Sequence, residues 1–484
     1  MFISGKTKLD PALSSQPDIM TQSPNSPANT TNKTLSAEEL RALLRNPPKE
    51  FIKESYGETS IVIDDCTFED EHLILDDSVT VNLPLTFQGC TFRTDKLFFI
   101  SGLTCNESLT FDSCTISDTI YFHRGTFKKQ VLLKYVHVKS IHLSDCTFGK
   151  VSISGYDINE VWVSGAKFES LHIGEYLSGD NISKLTIFSK EDDTGDVYIK
   201  EQSFDKMFLS GTNKRRKFSF ANIKCNTVSI TDFKNEGSLN FYGIEPKDIN
   251  SDKRYFQIID SNLDKAEFYR ANFSQYKEVI IIDSFITDSL FIGCNWNNNV
   301  RALYGPGYDI FEDSLKTGRK TTPREIVAIK EAYRQLKISM SKHSDKIQEQ
   351  KFYSEELTFH YKTLSWGKPW KNKFWDKMIL LLSKVFSDYG QSFIKPFSGL
   401  LIGHLILFLI ALLFNGFEPL HISLNEPTAE GFREAFEKFF IYINPLRRLE
   451  TSLFGYLILL DLVMRIWSSY MIYNLIRASR RFIS

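Results

Sequence analysis

Apolar residues of this chain recur in steps of five, and the steps are grouped into longer periods of about 20 to 24 residues, a double rhythm that few folds can satisfy. The ladders read Ile63/Phe68/Leu73, Phe87/Phe92/Leu97, Phe111/Ile116/Tyr121, Phe122/Phe127/Leu132, Leu143/Phe148/Ile153 and Val163/Phe168/Ile173, continuing as Phe218/Ile223/Val228, Leu263/Phe268/Phe273 and Ile280/Phe285/Leu290. Helices repeat every 3.6 residues and half-buried strands every two, so neither alone gives a step of five. Two residues before the middle of each ladder stands a small residue: Cys66, Cys90, Cys114, Gly125, Cys146, Ala166, Ala221 and Ala266, with Asp283 as the exception in the ninth. The first six middle residues are 24, 24, 11, 21 and 20 positions apart. Four steps of five per turn predict a four-sided solenoid in which coil stacks on coil.

A slot that accepts Cys, Gly and Ala alike selects for size. Cys66, Cys90, Cys114 and Cys146 are therefore read as small core residues, not as nucleophiles or ligands. Seven cysteines without a C-x-x-C pair argue against a disulfide framework or a structural zinc site. Cys105 and Cys294 fall outside the slot or in poorer repeats. His123, His137, His142 and His172 lie in strand-like segments without carboxylates at catalytic spacing. H-E-x-x-H, G-x-S-x-G, Walker-type and dinucleotide glycine motifs are absent. Neither enzymatic activity nor a cofactor is expected.

The stretch "KAEFYRANFSQ", residues 265–275, carries Ala266, Phe268, Ala271 and Phe273 in one unbroken register, and with it residues 60–300 resemble the pentapeptide-repeat proteins. The resemblance implies a mixed fold whose β part is a right-handed quadrilateral β-helix. Phe68, Phe92, Ile116, Phe148, Phe168, Phe268 and Phe273 would stack inside it, with Cys66, Cys90, Cys114, Cys146, Ala166, Ala266 and Ala271 filling the corners. Two insertions, "SKEDDTGDVYIKEQ" and "GTNKRRK", break the register and are read as irregular turns or side loops.

Other signals flank the β-helix, taken as residues 51–300. Residues 1–35, rich in Ser, Thr, Asn and Pro, read as a disordered tail without the pattern of a cleaved signal peptide. Residues 36–50 hold a capping helix near Ala37 to Arg45, opened by a Ser36/Glu39 capping box and ended by Pro47 and Pro48. Residues 301–365 form an α-helical hairpin: Ile326, Ile329, Tyr333, Leu336 and Met340 share one helix face, and Ile347, Phe352, Leu357 and Tyr361 follow a polar break at 341–345. This hairpin, loosely similar to a tetratricopeptide-type unit, is expected to pack on the open end of the solenoid or on a neighbouring subunit.

The remaining chain is apolar and basic. Net charge is about −10 over residues 51–300 and about +8 over 301–484. Phe397 to Phe414 is an uncharged run long enough to cross a bilayer, and Leu453 to Ile476 is a second candidate interrupted by Asp461 and Arg465. These two stand at i and i+4, where they can pair. Residues 366–396, with Trp366, Trp370 and Trp375, are expected to form an interfacial helix, and residues 397–484 a two-span transmembrane region. Lys368, Lys371, Lys373, Lys377, Lys384 and Lys395 precede the first span, and Arg477, Arg480 and Arg481 follow the second. Both termini are thus expected on the cytoplasmic side of the inner (plasma) membrane, against the minority vote of Arg447 and Arg448. Between the spans, an amphipathic helix near Ala429 to Ile443 would rest on the outer surface or re-enter the membrane.

A pentapeptide-like solenoid, a Y-R-Q-L-K helix pair and two spans ending in "NLIRASRRF" resemble bacterial membrane proteins described as pentapeptide-repeat proteins with an ion-channel-like C-terminus. The potassium filter T-x-G-Y-G is absent. The resemblance implies a homo-oligomeric membrane effector. Its cytoplasmic β-helix would sense or dock a protein or ligand while the spans form or gate a pore, a layout that suits arrest of a phage-infected cell. Asp461, Arg465 and His404 are the candidate pore or gating residues. The alternative is a membrane-anchored β-helix scaffold without pore activity, in which the Asp461–Arg465 pair only fixes helix packing. Nucleic-acid mimicry is disfavoured by the modest acidity.

Overall fold

The computed structural model describes residues 33–55, 57–70, 72–77, 79–93, 97–156, 158–174, 181–297, 299–302, 321–366, 372–413, 429–448 and 455–480. The tail over residues 1–32, Lys368, Trp370, Lys371, Phe414, most of the loop between the proposed spans, Arg481 and the side chains of Leu97 and Arg480 lie outside them.

Residues 52–301 wind into a β-solenoid of about 10 turns; among the described residues its strands pair in parallel from coil to coil, after an antiparallel hairpin of Ile52–Ser55 with Glu58–Asp64 at the start. In-register pairing aligns inward side chains into columns. One runs Ile63, Phe87, Phe111, Leu133, Ile153, Ile173. A second runs Phe68, Phe92, Ile116, Val138, and a third Cys105, Phe127, Phe148, Phe168. The step of five is the walk from one column to the next within a coil. Longer strands also carry two inward residues at a spacing of two, as Leu85 and Phe87 do. Rings within a column stack, with centroids 4.7 Å apart for Phe68 and Phe92, 4.9 Å for Phe87 and Phe111, and 5.0 Å for Phe241 and Phe268. Such a pair adds about 0.5–1.5 kcal/mol to what burial alone gives.

The bends between strands explain the small slot. The residue just before it takes a left-handed backbone at Asp65 (φ 49°), Gly89 (62°), Ser113 (54°), Asp145 (51°) and Gly165 (63°). Gly, Asp and Asn tolerate that conformation best. At these bends the chain then dives inward beside a small side chain. After Gly102, Tyr135, Asn222 and Asp232 the same place holds Leu103, Val136, Ile223 and Phe233 instead, and Ala221 is not a slot residue. The slot thiols also donate to the coil before them: Cys90 Sγ lies 3.2 Å from the Ile63 carbonyl oxygen and Cys114 Sγ 3.3 Å from that of Phe87.

The same geometry corrects several ladder assignments. Ile116 stacks on Phe92 whereas Phe127 stacks between Cys105 and Phe148, so the odd spacing of 11 joins two different columns about half a turn apart. Tyr121 and Leu132 face outward, and Ile120 and Leu133 fill the interior instead. In the ninth ladder the frame read from the sequence is one residue early. Phe285 is 62% exposed, and the buried series is Ile281, Ile286, Phe291. Its slot is therefore Ser284, and Asp283 (φ 46°) is the left-handed residue before it, so the exception disappears. Cys294 occupies the same slot two residues before Trp296, which stacks on Phe273 at 4.2 Å, and Cys105 is itself a column residue.

Helices close both ends. Thr34–Leu35 adds a strand beside Thr67–Phe68, and α1 (Ala37–Arg45) follows with the Ser36/Glu39 capping box formed, burying Leu40, Leu43 and Leu44. At the other end α2 (Pro323–Lys342) and α3 (Lys346–Thr363) form the hairpin, with Thr322 and Glu325 as a second capping box. It covers the last coil: Gln335 Oε1 accepts from the Ile286 amide at 3.0 Å, Ser339 Oγ donates to the Ser289 carbonyl at 2.6 Å, and Phe352 meets Trp296 edge to face. Beyond it lie α4 (Asn372–Ser387), α5 (Ile394–Leu413), α6 (Ala429–Ile443) and α7 (Tyr456–Arg480).

Candidate functional site

Two helices, α5 and α7, are long and apolar enough to cross a membrane, and most of their surface is exposed. Ile402, Leu405, Leu409, Leu459, Leu462 and Ile466 all point away from the protein. The faces turned toward each other are tightly fitted. Trp467 Nε1 donates to the Gly399 carbonyl at 3.1 Å, and a Cβ at Gly403 would lie 2.4 Å from the Trp467 ring, so the Gly399-x-x-x-Gly403 spacing admits an indole between the helices. At the next residue of each helix, His404 Nδ1 meets Ser468 Oγ at 3.4 Å.

Helix α6 lies alongside this pair. Phe439 packs on His404 (5.4 Å between ring centroids) and on Phe408 (5.7 Å), while Tyr442 and Met464 join Phe408 and Ala411 in a small apolar cluster. His404 stands nine residues before the end of α5, about 13 Å along the helix. Helix α6 therefore reaches well down the flank of α5.

At the C-terminal end of α6 the sequence-read pair Asp461 and Arg465 becomes a three-residue cluster. Arg465 Nε binds Asp461 Oδ2 at 2.6 Å, and Asp461 Oδ1 is held by Arg447 from the loop after α6. Their side chains are nearly buried. Arg465 also donates to the carbonyls of Arg447 at 2.6 Å and Pro445 at 3.2 Å, and Arg447 donates to those of Tyr442 and Asn444 while its guanidinium covers the Tyr442 ring at 4.1 Å. The carbonyl end of a helix carries partial negative charge, so two arginines anchored by one carboxylate cap it well. Asp461 is the sixth residue of α7, close to the end of that helix. The arrangement fastens α6 to α7. His404 is 0% exposed, and its Nε2 has no hydrogen-bond partner among the described residues. It sits with Ser468 and Phe439, apart from the three charged side chains' mutual contacts.

Arg447 was missed because a loop residue 14 positions before Asp461 has no periodic relation to it. The only hint is that Arg465, the one arginine of α7 within a turn of Asp461, leaves one carboxylate oxygen unclaimed.

The remaining candidates, Cys66, Phe68, Cys90, Phe92, Cys114, Ile116, Cys146, Phe148, Ala166, Phe168, Ala266, Phe268, Ala271 and Phe273, all lie buried in the solenoid. Burial pushes the thiol of Cys66 up to about 11 and those of Cys105 and Cys146 up to about 12. At neutral pH these thiols are protonated and walled in, the opposite of an activated nucleophile. Iodoacetamide at about pH 8 is therefore expected to spare the six buried cysteines of the native chain, with only the half-buried Cys294 open to reaction, and to alkylate all seven once it is denatured. Peptide mass mapping reads this directly, and rapid modification of native Cys146 would contradict the assignment. No protein-family model, curated protein or solved structure matches the chain.

Proposed function

We propose that this protein is a homo-oligomeric membrane effector. Its β-solenoid, of the right-handed quadrilateral pentapeptide type and with both chain termini in the cytoplasm, docks a protein or ligand. Helices α5 and α7 cross the bilayer, and α6 dips in between them to help form or gate a pore. The observation that carries this reading is the seating of α6 against His404 and Phe408, beside two helices whose outer faces are apolar and exposed. One subunit with two spans cannot enclose a channel, so subunits must assemble around it. His404 and Ser468 are polar groups buried on the α5–α7 seam beneath α6, which a permeation path would reach once α6 moves aside, whereas Asp461, Arg447 and Arg465 hold α6 in place.

Induced expression of the full chain is expected to depolarise the membrane, read with a potential-sensitive dye, and deletion of residues 394–480 to abolish the effect. An unchanged potential with the full chain in the membrane overturns the pore reading and leaves the anchored scaffold.

A further inference from the structure

Helix α4 leaves an apolar stripe uncovered. Trp375, Ile379, Leu382 and Val385 are 58%, 62%, 41% and 54% exposed. At 100° per residue, Trp375, Ile379 and Leu382 fall within an arc of about 60°, and Lys373, Lys377 and Lys384 share an arc of about 40° on the opposite side. Of these lysines Lys373 and Lys384 are exposed, and Lys377 alone turns into the protein. Lys377 is buried, donates to the Leu364 carbonyl at 2.5 Å and lies over the rings of Tyr361 (4.7 Å) and Trp366 (4.9 Å).

We propose that this apolar stripe is seated in the headgroup and upper acyl region of one membrane leaflet, and that the leaflet it selects is rich in anionic phospholipid. Two observations fix the occupant. Exposed apolar residues resume at Phe393, Ile394 and Phe397, where α5 begins, and the end of α4 packs on the spans through Phe386 against Trp467 at 5.0 Å. The charge at this end is complementary to acidic headgroups. The bases Lys373, Lys384, Lys395 and Arg477 outnumber the carboxylates Asp376, Asp388 and Glu355 here, Asp388 being paired with Lys395 at 3.4 Å and Glu355 lying near Lys384, while Lys377 is taken up inside the protein. Each basic residue near an anionic surface adds roughly 1 kcal/mol of attraction. Polar-face lysines opposite a Trp-bearing apolar face are the pattern of an interfacial helix.

This seat would fix the whole solenoid relative to the membrane, because α4 and its following turn are tied to the capping hairpin. Gln391 Nε2 donates to the Gln350 carbonyl at 2.7 Å, and Ser354 Oγ reaches that of Asp388 at 3.5 Å. The inference rests on membrane insertion of α5 and α7 and not on a pore.

The full chain carrying Cys294→Ala and Ile379→Cys, labelled with an environment-sensitive fluorophore, is placed in nanodiscs of mixed phosphatidylcholine and phosphatidylglycerol with a spin-labelled quencher on one lipid or the other. Quenching is expected from both lipids and about twofold stronger from phosphatidylglycerol, with the preference lost in Lys373→Glu/Lys384→Glu. The same label at Val327→Cys, exposed on α2, should stay unquenched. No quenching at position 379 would overturn the proposal, whether water or a second copy of the chain covers the stripe. Equal quenching by both lipids would overturn its anionic selectivity. Membrane potential is not read, so failure of the pore reading remains distinguishable.

Discussion

Replacing Arg216 by methionine is expected to destabilise the middle of the solenoid by about 3–5 kcal/mol, the cost of leaving a buried carboxylate without its partner. Arg216 and Asp193 are 0% and 1% exposed at the side chain, with Nη2 and Oδ2 3.4 Å apart. The guanidinium also donates to the Ala166 carbonyl and lies under the Phe168 ring at 5.3 Å, continuing the aromatic column by one more layer. Burial alone pushes the Asp193 carboxyl up and the Arg216 guanidinium down, and each partner's charge opposes the other's shift. Removing the arginine takes away the main restraint on Asp193. Repeats couple mainly to their neighbours, so the loss should be local. Amide exchange in strands Lys167–Ile173 and Asp196–Lys200 should accelerate by roughly 10²-fold or more while α1 and the first coils are unchanged.

The pH dependence of that variant has a definite sign. A carboxyl whose native pKa is raised above its unfolded value binds its proton more tightly when folded. The Arg216→Met penalty is therefore fully present near neutral pH and shrinks as pH falls through the raised pKa of Asp193 toward the ordinary carboxylate range. A double Arg216→Met/Asp193→Asn variant should recover much of the stability. A penalty below about 1 kcal/mol, or one that grows on acidification, would show that the pair does not stabilise these coils.

This pair also marks where the sequence stopped being readable. The columns could be seen because the interior repeats one demand in every coil: an aromatic or aliphatic group, then a small residue two positions before the next. Asp193 and Arg216 come from the two insertions that break this rhythm. The sequence reads these insertions as irregular turns or side loops, and the two charged residues turn inward and neutralise each other. Opposite charges 23 residues apart, about one coil, were the available sign, obscured because a single charge pair has no period. The frame slip at Phe285 has a related cause. Both Phe285 and Ile286 are apolar, and apolarity alone cannot choose between adjacent residues. The left-handed Asp283 followed by Ser284 chooses correctly, since a bend residue then a small residue is the stricter pattern. In the helical region, α5 and α7 were legible from length and apolarity, whereas Arg447 was not, because tertiary folding alone brings it to Asp461.

Exchanging Asp461 for asparagine is expected to release α6 from α7 without unfolding the helices that remain. The carboxylate is shared by two arginines that between them cap the carbonyls of Tyr442, Asn444, Pro445 and Arg447. Neutralising it leaves two guanidiniums facing one another with little water access, a loss of about 3–5 kcal/mol. Amide exchange over Ala429–Ile443 should then rise by about 10²-fold or more, whereas α5 and the α7 segment around Trp467 should stay protected by the Gly399–Trp467 and His404–Ser468 contacts. Asp461→Glu, which keeps the charge, should restore most of the protection. The permeability readout separates fastening from gating. If α6 lines or closes a pore, its release alters dye-reported potential together with its exchange rate, and both return with glutamate. Faster exchange with unchanged permeability and unchanged oligomer size would confine Asp461, Arg447 and Arg465 to packing. Unchanged exchange in Asp461→Asn would mean that the apolar contacts of Phe439 and Tyr442 hold α6 by themselves.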